Sequence, residues 1–262
     1  MNESPIGIFD SGVGGLTVWH EIVRLLPAED TLYLADSAHA PYGERSPGEI
    51  RALSRKNTEW LLDRGCKIIV VACNTATTNA IAQLRREYAV PFIGIEPAIK
   101  PAALHSQTRR VGVLATRGTL ASDLFAETSK TYAEGISILE QEGVGLVRLI
   151  ESGNLEDPEL EGRLEELLAP MLEAGIDHLV LGCTHYPFLI PALRNLLPRQ
   201  VKIVDCGLPV ARQTQAVLAA KGWLRGEART GRHELYTNGD PQIMNRLLER
   251  LGHTQKARFA PF

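Results

Sequence analysis

The sequence predicts an α/β protein of two pseudo-symmetric lobes, each a mainly parallel sheet flanked by helices. Three observations carry this. Short β-branched runs alternate with longer helical stretches along the whole chain, the pattern of βαβ units. No low-complexity segment or long flexible linker interrupts the alternation. A weak internal repeat relates the two halves.

The elements follow in order. Strand Ile6–Phe9 leads into a tight glycine turn and helix Gly15–Leu26. Strand Leu32–Ala35 leads into a polar loop through Gly43 and helix Pro47–Arg64, and strand Ile68–Ala72 into helix Thr77–Tyr88. Strand Phe92–Ile95 runs into a segment with prolines at 97 and 101, which disfavour a continuous helix and suit a crossing between lobes. The second half repeats the pattern with strands Val111–Ala115, Ile136–Glu140, His178–Gly182 and Lys202–Asp205 and helices Thr119–Tyr132, Pro158–Ala174 and Pro209–Lys221. The chain resumes after the second lobe, so its tail is expected to pack back on the first. A second crossing near Asp205–Pro209 then gives residues 1–96 plus 209–262 as one lobe and 97–208 as the other.

The repeat is most specific around two cysteines. Residues 60–75 align with residues 170–185: a helix ends at a glycine (Gly65, Gly175), a strand follows, and a cysteine (Cys73, Cys183) comes eight residues after that glycine. Upstream, the Ile6-Gly-Ile-Phe-Asp-Ser11 string echoes Val111-Gly-Val-Leu-Ala-Thr116.

Bulk properties exclude several classes. The 262 residues carry a net charge of -3, so no basic field exists to attract nucleic acid. Apolar runs such as Ile68–Cys73 are too short to span a bilayer. The first eight residues carry Glu3 and Pro5 and lack the basic and apolar regions of a signal peptide, which makes the cytoplasm the expected compartment. The four cysteines, at 66, 73, 183 and 206, form no CxxC pair and are expected as free thiols.

In open parallel sheets, ligands bind beyond the carboxyl ends of strands. Asp10, Cys73 and Cys183 all stand there, followed by small or hydroxylic residues that can start a helix: Ser11-Gly12, Asn74-Thr75 and Thr184-His185. A helix start offers free N–H groups that bind a carboxylate and favour a nearby thiolate. Two thiols mounted alike suit proton transfer on two faces of one carbon, one removing the proton and the other returning it. Asp10 and His185 are the natural groups to orient or charge-match the two sulfurs. The turn at Pro41-Tyr42-Gly43 offers the N–H groups of Tyr42 and Gly43 to a carboxylate.

Each signal has a plainer reading. A free cysteine is commonly buried filler, and Cys66 and Cys206 are read as structural. Asp10 could serve only as a helix cap. The glycines at 12, 14 and 15 lack the spacing of a dinucleotide fingerprint. A zinc site at His185, Cys183 and Cys73 lacks a fourth ligand of the usual spacing, so no metal is expected. Glu151 could be an ordinary residue at a helix end.

The chain resembles the glutamate racemases of the cofactor-independent aspartate/glutamate racemase superfamily. The matching strings are Ile6–Thr17, Ala35–Gly43, Ala72–Thr77, Gly94–Pro97, Leu114–Thr116 and Leu181–Pro187, in family order across nearly the whole chain. The long strings at Asp10–Gly15 and Pro41–Gly43 favour glutamate over aspartate. The resemblance implies a site between two lobes and no cofactor, with Cys73 acting on D-glutamate and Cys183 on L-glutamate. It implies Asp10 and His185 as their helpers, Glu151 as an auxiliary group, and substrate binding at Asp10, Ser11, Tyr42, Gly43, Asn74, Thr75, Thr184 and His185. It also implies D-glutamate supply to peptidoglycan synthesis, and a homodimer as one assembly. Two departures stand out. Some relatives carry an N-terminal extension tied to activation by a wall precursor, whereas Asp10 here lies close to Met1, a departure that puts that control in doubt. Cys206, in Val204-Asp-Cys-Gly207, occupies a position commonly serine. The rival readings are an aspartate racemase and a non-catalytic protein that closes two lobes on a carboxylate; the latter needs neither thiol.

Overall fold

The computed structural model describes residues 3–132, 135–155, 157–226 and 229–262. The first half contains β1 (Ile6–Asp10), α1 (Leu16–Leu25), β2 (Thr31–Ala35), α2 (Pro47–Leu62), β3 (Ile68–Val71), α3 (Asn74–Glu87) and β4 (Phe92–Gly94). After α4 (Ile99–His105) come β5 (Arg110–Ala115), α5 (Arg117–Leu120), α6 (Asp123–Tyr132), β6 (Ser137–Glu142), α7 (Leu146–Glu151), α8 (Glu159–Glu173), β7 (His178–Gly182), α9 (Ile190–Leu196) and β8 (Lys202–Val204). The chain closes with α10 (Gly207–Ala220), β9 (His233–Thr237), α11 (Pro241–Arg250) and β10 (Arg258–Phe259).

Two parallel sheets result, flanked by helices, with strand orders β10-β9-β2-β1-β3-β4 and β6-β5-β7-β8. Reading β5 to β8 as the counterparts of β1 to β4, both sheets share the order second-first-third-fourth. The repeat seen in the sequence is therefore a repeat of topology. Its glycines behave alike. Gly65 and Gly175 both take left-handed φ, near 76° and 75°, and close the helices before β3 and β7. In each, the glycine N–H and the next N–H turn back to bond helix carbonyls: Gly65 and Cys66 to Leu62 and Leu61, Gly175 and Ile176 to Leu172 and Met171. Gly7 and Gly112 also correspond. A Cβ on Gly7 would press on Cys66 Sγ at 2.9 Å, and one on Gly112 on Ile176 Cδ1 at the same distance. Cys66 thus occupies the place of an isoleucine and packs as one.

The central strands are buried on both faces, as parallel sheets require. In β3, Ile68 and Val70 face one core while Ile69 and Val71 face the other. The core on the first face continues without a break into that of the second sheet, joining Ile6 and Val70 to Val113 and Leu181.

Several boundaries differ from expectation. The helix expected over Thr119–Tyr132 is two, because Thr116 and Ser122 each accept a backbone N–H, from Thr119 and Phe125, and start separate turns. α3 starts at Asn74 rather than Thr77 because Cys73 itself caps it. The segment around Pro97 and Pro101 contains α4. Pro101 falls in its first turn, where a missing N–H costs nothing. α7, α9, α11, β9 and β10 were not foreseen. β9 pairs with β2 along its whole length, which carries the end of the chain onto the first sheet.

Candidate active site

Both cysteines of the repeat stand just past the ends of corresponding strands, β3 and β7. Cys73 has extended backbone angles and caps the 14-residue helix α3. Its Sγ accepts a hydrogen bond from the Ala76 N–H at 3.4 Å, and its thiol lies 3.5 Å from the Ser11 hydroxyl as donor. Burial pushes this thiol well above the ordinary cysteine range, and the Asp10 carboxylate adds to that; Ser11 and the Ala76 amide pull the other way. Cys183 does not cap an α-helix. The chain beyond it forms the 3-10 turn Tyr186–Leu189, with Pro187 in its first turn.

Cys183 instead has an imidazole. His185 Nδ1 lies 3.7 Å from Cys183 Sγ, and its Nε2 lies 2.5 Å from Glu151 Oε1 at the end of α7. Burial opposes a charge on His185, but the hydrogen bonds and charges of Cys183 and Glu151 outweigh it and hold the imidazolium well above the usual range. Glu151 is in turn fixed from the other half of the chain, by the Val13 N–H at 2.7 Å and the Ser37 hydroxyl at 3.0 Å. The glycine turn after β1 exists to admit these groups. A Cβ on Gly12 would overlap Glu151 Oε1, and one on Gly14 would come within 2.2 Å of His185 Nδ1.

Asp10 is fully buried at the end of β1. One oxygen accepts the N–H groups of Gly15 at 2.9 Å and Gly12 at 3.3 Å, shaping the start of α1; the other accepts the Thr184 hydroxyl at 3.4 Å. Asp10 thus shapes the helix start and reaches the site only through the Thr184 hydroxyl. Burial raises its carboxyl from an ordinary 3.8 to about 6; His185 and the Gly15 amide oppose the rise, and Glu151 supports it.

Ser11, Tyr42, Gly43, Cys73, Asn74 and Thr75 from the first sheet's side, with Cys183, Thr184 and His185 from the second's, line one narrow cavity. Asp10 and Glu151 stand directly behind this lining. Both polar atoms of the Asn74 amide are buried with no hydrogen-bond partner. The Thr75 hydroxyl lies 2.9 Å from that of Thr116 across the two halves. Pro41, Thr116 and Val147 complete the wall and were not foreseen. For Thr116 a signal existed, since the repeat aligns it with Ser11. A neighbouring hollow shares Pro41, Gly43, Thr116 and Val147 and is also lined by Glu44 and Arg148, which form an ion pair.

The other thiols lie apart. Cys206 donates to the Glu96 carbonyl at 2.8 Å. Burial is the first cause pushing both Cys66 and Cys206 up to about 12. His178 is buried against Asp177, and its Nδ1 lies 2.8 Å from a carboxylate oxygen. Among the described residues, no three His, Cys, Asp or Glu side chains converge to hold a metal ion, and no helix is long and apolar enough to cross a membrane.

The family model for Asp/Glu/Hydantoin racemase matches residues 6–214. A glutamate racemase from a Roseiflexus species is 46% identical over 249 residues, covering 94% of this chain and 92% of its own. A crystal structure of a glutamate racemase isoform from Bacillus anthracis superimposes with a TM-score of 0.89 at 32% identity, covering 99% of this chain and 98% of its own. The Escherichia coli glutamate racemase, solved in complex with L-glutamate and the activator UDP-MurNAc-Ala, gives a TM-score of 0.85 at 32% identity, with 98% of each chain covered. With the match spanning most of its length and paired cysteines at the ends of corresponding strands, the chain belongs to the Asp/Glu/Hydantoin racemase family, among its glutamate racemases.

Proposed function

We propose that the protein interconverts L- and D-glutamate by a two-thiol proton transfer at Cα, without cofactor, and supplies D-glutamate for peptidoglycan synthesis in the cytoplasm. The observation that carries this reading is that Cys73 and Cys183, from matching strand ends, line a single buried cavity. In this reading residues 1–96 plus 209–262 form the lobe of Cys73 and residues 97–208 the lobe of Cys183.

One sulfur, as thiolate, takes the proton from Cα, so a Cα–H bond breaks and an S–H bond forms. The electron pair moves into the substrate carboxylate. The opposite thiol then gives its proton to the other face, and the two sulfurs have exchanged protonation states. Cys183 acts on L-glutamate and Cys73 on D-glutamate. Protonated His185, 3.7 Å from Cys183 Sγ, provides positive charge beside one sulfur. The Ala76 N–H and the start of α3 provide it beside the other. Asp10 supplies negative charge for the substrate ammonium from behind Thr184. The N–H groups at Tyr42 and Gly43, the Asn74 amide and the hydroxyls of Ser11, Thr75 and Thr184 take the carboxylates. A buried amide without partners costs about 1–3 kcal/mol, which a carboxylate bound at Asn74 relieves. A thiolate alone is too weak a base for this Cα–H. Orientation in a closed cavity contributes roughly 7–11 kcal/mol, and donors aimed at the growing carboxylate charge contribute about 3–4 kcal/mol each.

The test is incubation of purified protein with L- or D-glutamate in D2O, with no pyridoxal phosphate or metal added. Deuterium should enter Cα while optical rotation decays to zero, and aspartate should react far more slowly. Cys73→Ser and Cys183→Ser should each abolish inversion. Full inversion by both variants would sink the two-thiol mechanism, and no exchange by the parent protein would sink the glutamate reading.

A further inference from the structure

Asn238 lies in the final stretch of the chain, beyond residue 214 where the family match ends. It follows β9, which pairs with β2 so that Thr237 stands beside Ala35. Its side chain is bonded on both ends. The carbonyl oxygen accepts the Ala38 N–H at 2.9 Å, and the NH2 donates to Asp36 Oδ1 at 2.6 Å. Asp36 is buried and sits at the centre of a small network. It accepts the Tyr42 hydroxyl on its other oxygen, and His39 Nδ1 lies 2.5 Å from the first. Tyr42 is also buried, and Asn57 of α2 donates to its hydroxyl at 3.0 Å. The hydroxyl of Tyr42 is thus held by this network, and the chain continues to Gly43, which packs against Thr116; both residues line the cavity.

We propose that Asn238 is a positioning residue. Through Asp36 it holds the Tyr42–Gly43 turn at the height where its amides receive the substrate's side-chain carboxylate, whose charge does not change in the reaction. This rests on the reading of the cavity as a glutamate site. A buried carboxylate shared by three donors keeps its geometry only while each donor is present, because a missing one lets Asp36 turn toward those that remain. The C-terminal strand thereby acts on the first lobe's side of the cavity without touching the substrate.

A binding element that holds ground state and transition state alike changes KM and leaves kcat nearly unaltered. Asn238→Ala should therefore raise KM for glutamate about tenfold, the usual effect of losing one hydrogen bond to a charged group, with kcat changing less than about threefold. Asp240→Ala is the matched control. It removes the cap that Asp240 gives the Gln242 N–H at the start of α11, loosening the same terminal segment without touching Asp36. It should lower the melting temperature and leave KM alone. Asn238→Asp keeps the size of the side chain and puts a second carboxylate against Asp36, beside the titratable His39 and Tyr42. Relative to the parent at each pH, its KM should climb as rising pH removes the proton the two carboxyls share, while the same ratio for Asn238→Ala stays flat. In a Tyr42→Phe background, where the connecting hydroxyl is gone, Asn238→Ala should have no further effect on KM. If Asn238→Ala fails to fold, the pH dependence of Asn238→Asp decides alone. Equal KM changes in Asn238→Ala and Asp240→Ala, or a ratio of Asn238→Asp to parent KM that ignores pH, would overturn the proposal. Parent protein that racemises glutamate normally in the same assay would show that this inference alone had failed.

Discussion

Replacing Asp10 with asparagine separates what the carboxylate does for the site from what it costs the fold. The carboxyl is fully buried and raised from 3.8 to about 6, chiefly because burial disfavours its charge. A raised carboxylate pKa means that the native state binds more protons than the unfolded chain between those two values. Stability therefore falls as pH climbs through that window and stays lower above it. The gap of about two pH units corresponds to about 3 kcal/mol at neutral pH. The amide is a near-isostere: its oxygen can accept from Gly12 and Gly15 as Oδ2 does, and its NH2 can donate to the Thr184 hydroxyl, which can reverse its role. With the contacts kept and the charge gone, Asp10→Asn should be more stable than the parent by about 3 kcal/mol at pH 7.5, raising Tm by roughly 6–12 °C for a chain of this size. The gain should vanish below pH 4. Racemisation should fall by about ten- to a hundredfold, the value of a lost charge-assisted interaction with the substrate ammonium. Thermal melts of both proteins from pH 3.5 to 8, with racemisation followed by circular dichroism, measure both effects. A variant less stable than the parent at pH 7.5, or a difference that does not change with pH, would refute the reasoning.

Glu151→Gln tests the imidazole side. The amide can keep the contacts to Val13, His185 and Ser37, so the change removes mainly the charge that holds His185 protonated. L- and D-glutamate have equal free energy, so kcat/KM must fall equally in both directions, and only a one-way reaction separates the two thiols. With chlorine at Cβ of glutamate, proton removal from Cα expels chloride, and the enamine hydrolyses to 2-oxoglutarate and ammonium. Glu151→Gln should slow this elimination about ten- to a hundredfold from the L-isomer and spare the D-isomer; equal slowing of both would count against Cys183 as the base for L-glutamate. Gly14→Ala should cost about 1–3 kcal/mol of stability and most of the activity, since its Cβ would strike a His185 ring that is already pinned by Glu151. Wild-type melting and turnover in that variant would show that the ring can step aside.

Much of the site could be read directly because it lies where a parallel sheet presents its strand ends. The alternation of runs and the glycine before each cysteine locate Cys73, Cys183 and Asp10 in the chain, and the hydroxylic residues next to them are neighbours in sequence. Thr116 escaped notice because a threonine in a turn is an ordinary helix cap; only its alignment with Ser11 marks it. Ser37, Asp36 and Asn238 carry no local signature at all. A serine, an aspartate and an asparagine in polar loops read as turn formers, and their roles depend on partners 114 and 202 positions away. The C-terminal strand His233–Thr237 was missed because only Leu235 and Thr237 are buried in it, too little alternation to stand out against the surrounding polar residues.

By itself the sequence determined the α/β class, the repeat of glycine-closed helix, strand and cysteine in each half, and the identity of the paired thiols. These depend on period, turn geometry and spacing, which are local. Tertiary structure decided which distant groups join these turns. His185 meets Cys183 and the Ala76 amide meets Cys73 within a single turn each, but Ser11 reaches Cys73 and Thr184 reaches Asp10 from other strands. Tertiary structure also decided that Glu151, from the far side of the cavity, completes the arrangement through Val13. Such pairings are fixed by the packing of one sheet against another, and a sheet's packing is a property of all its side chains together, so no short stretch of the chain encodes it.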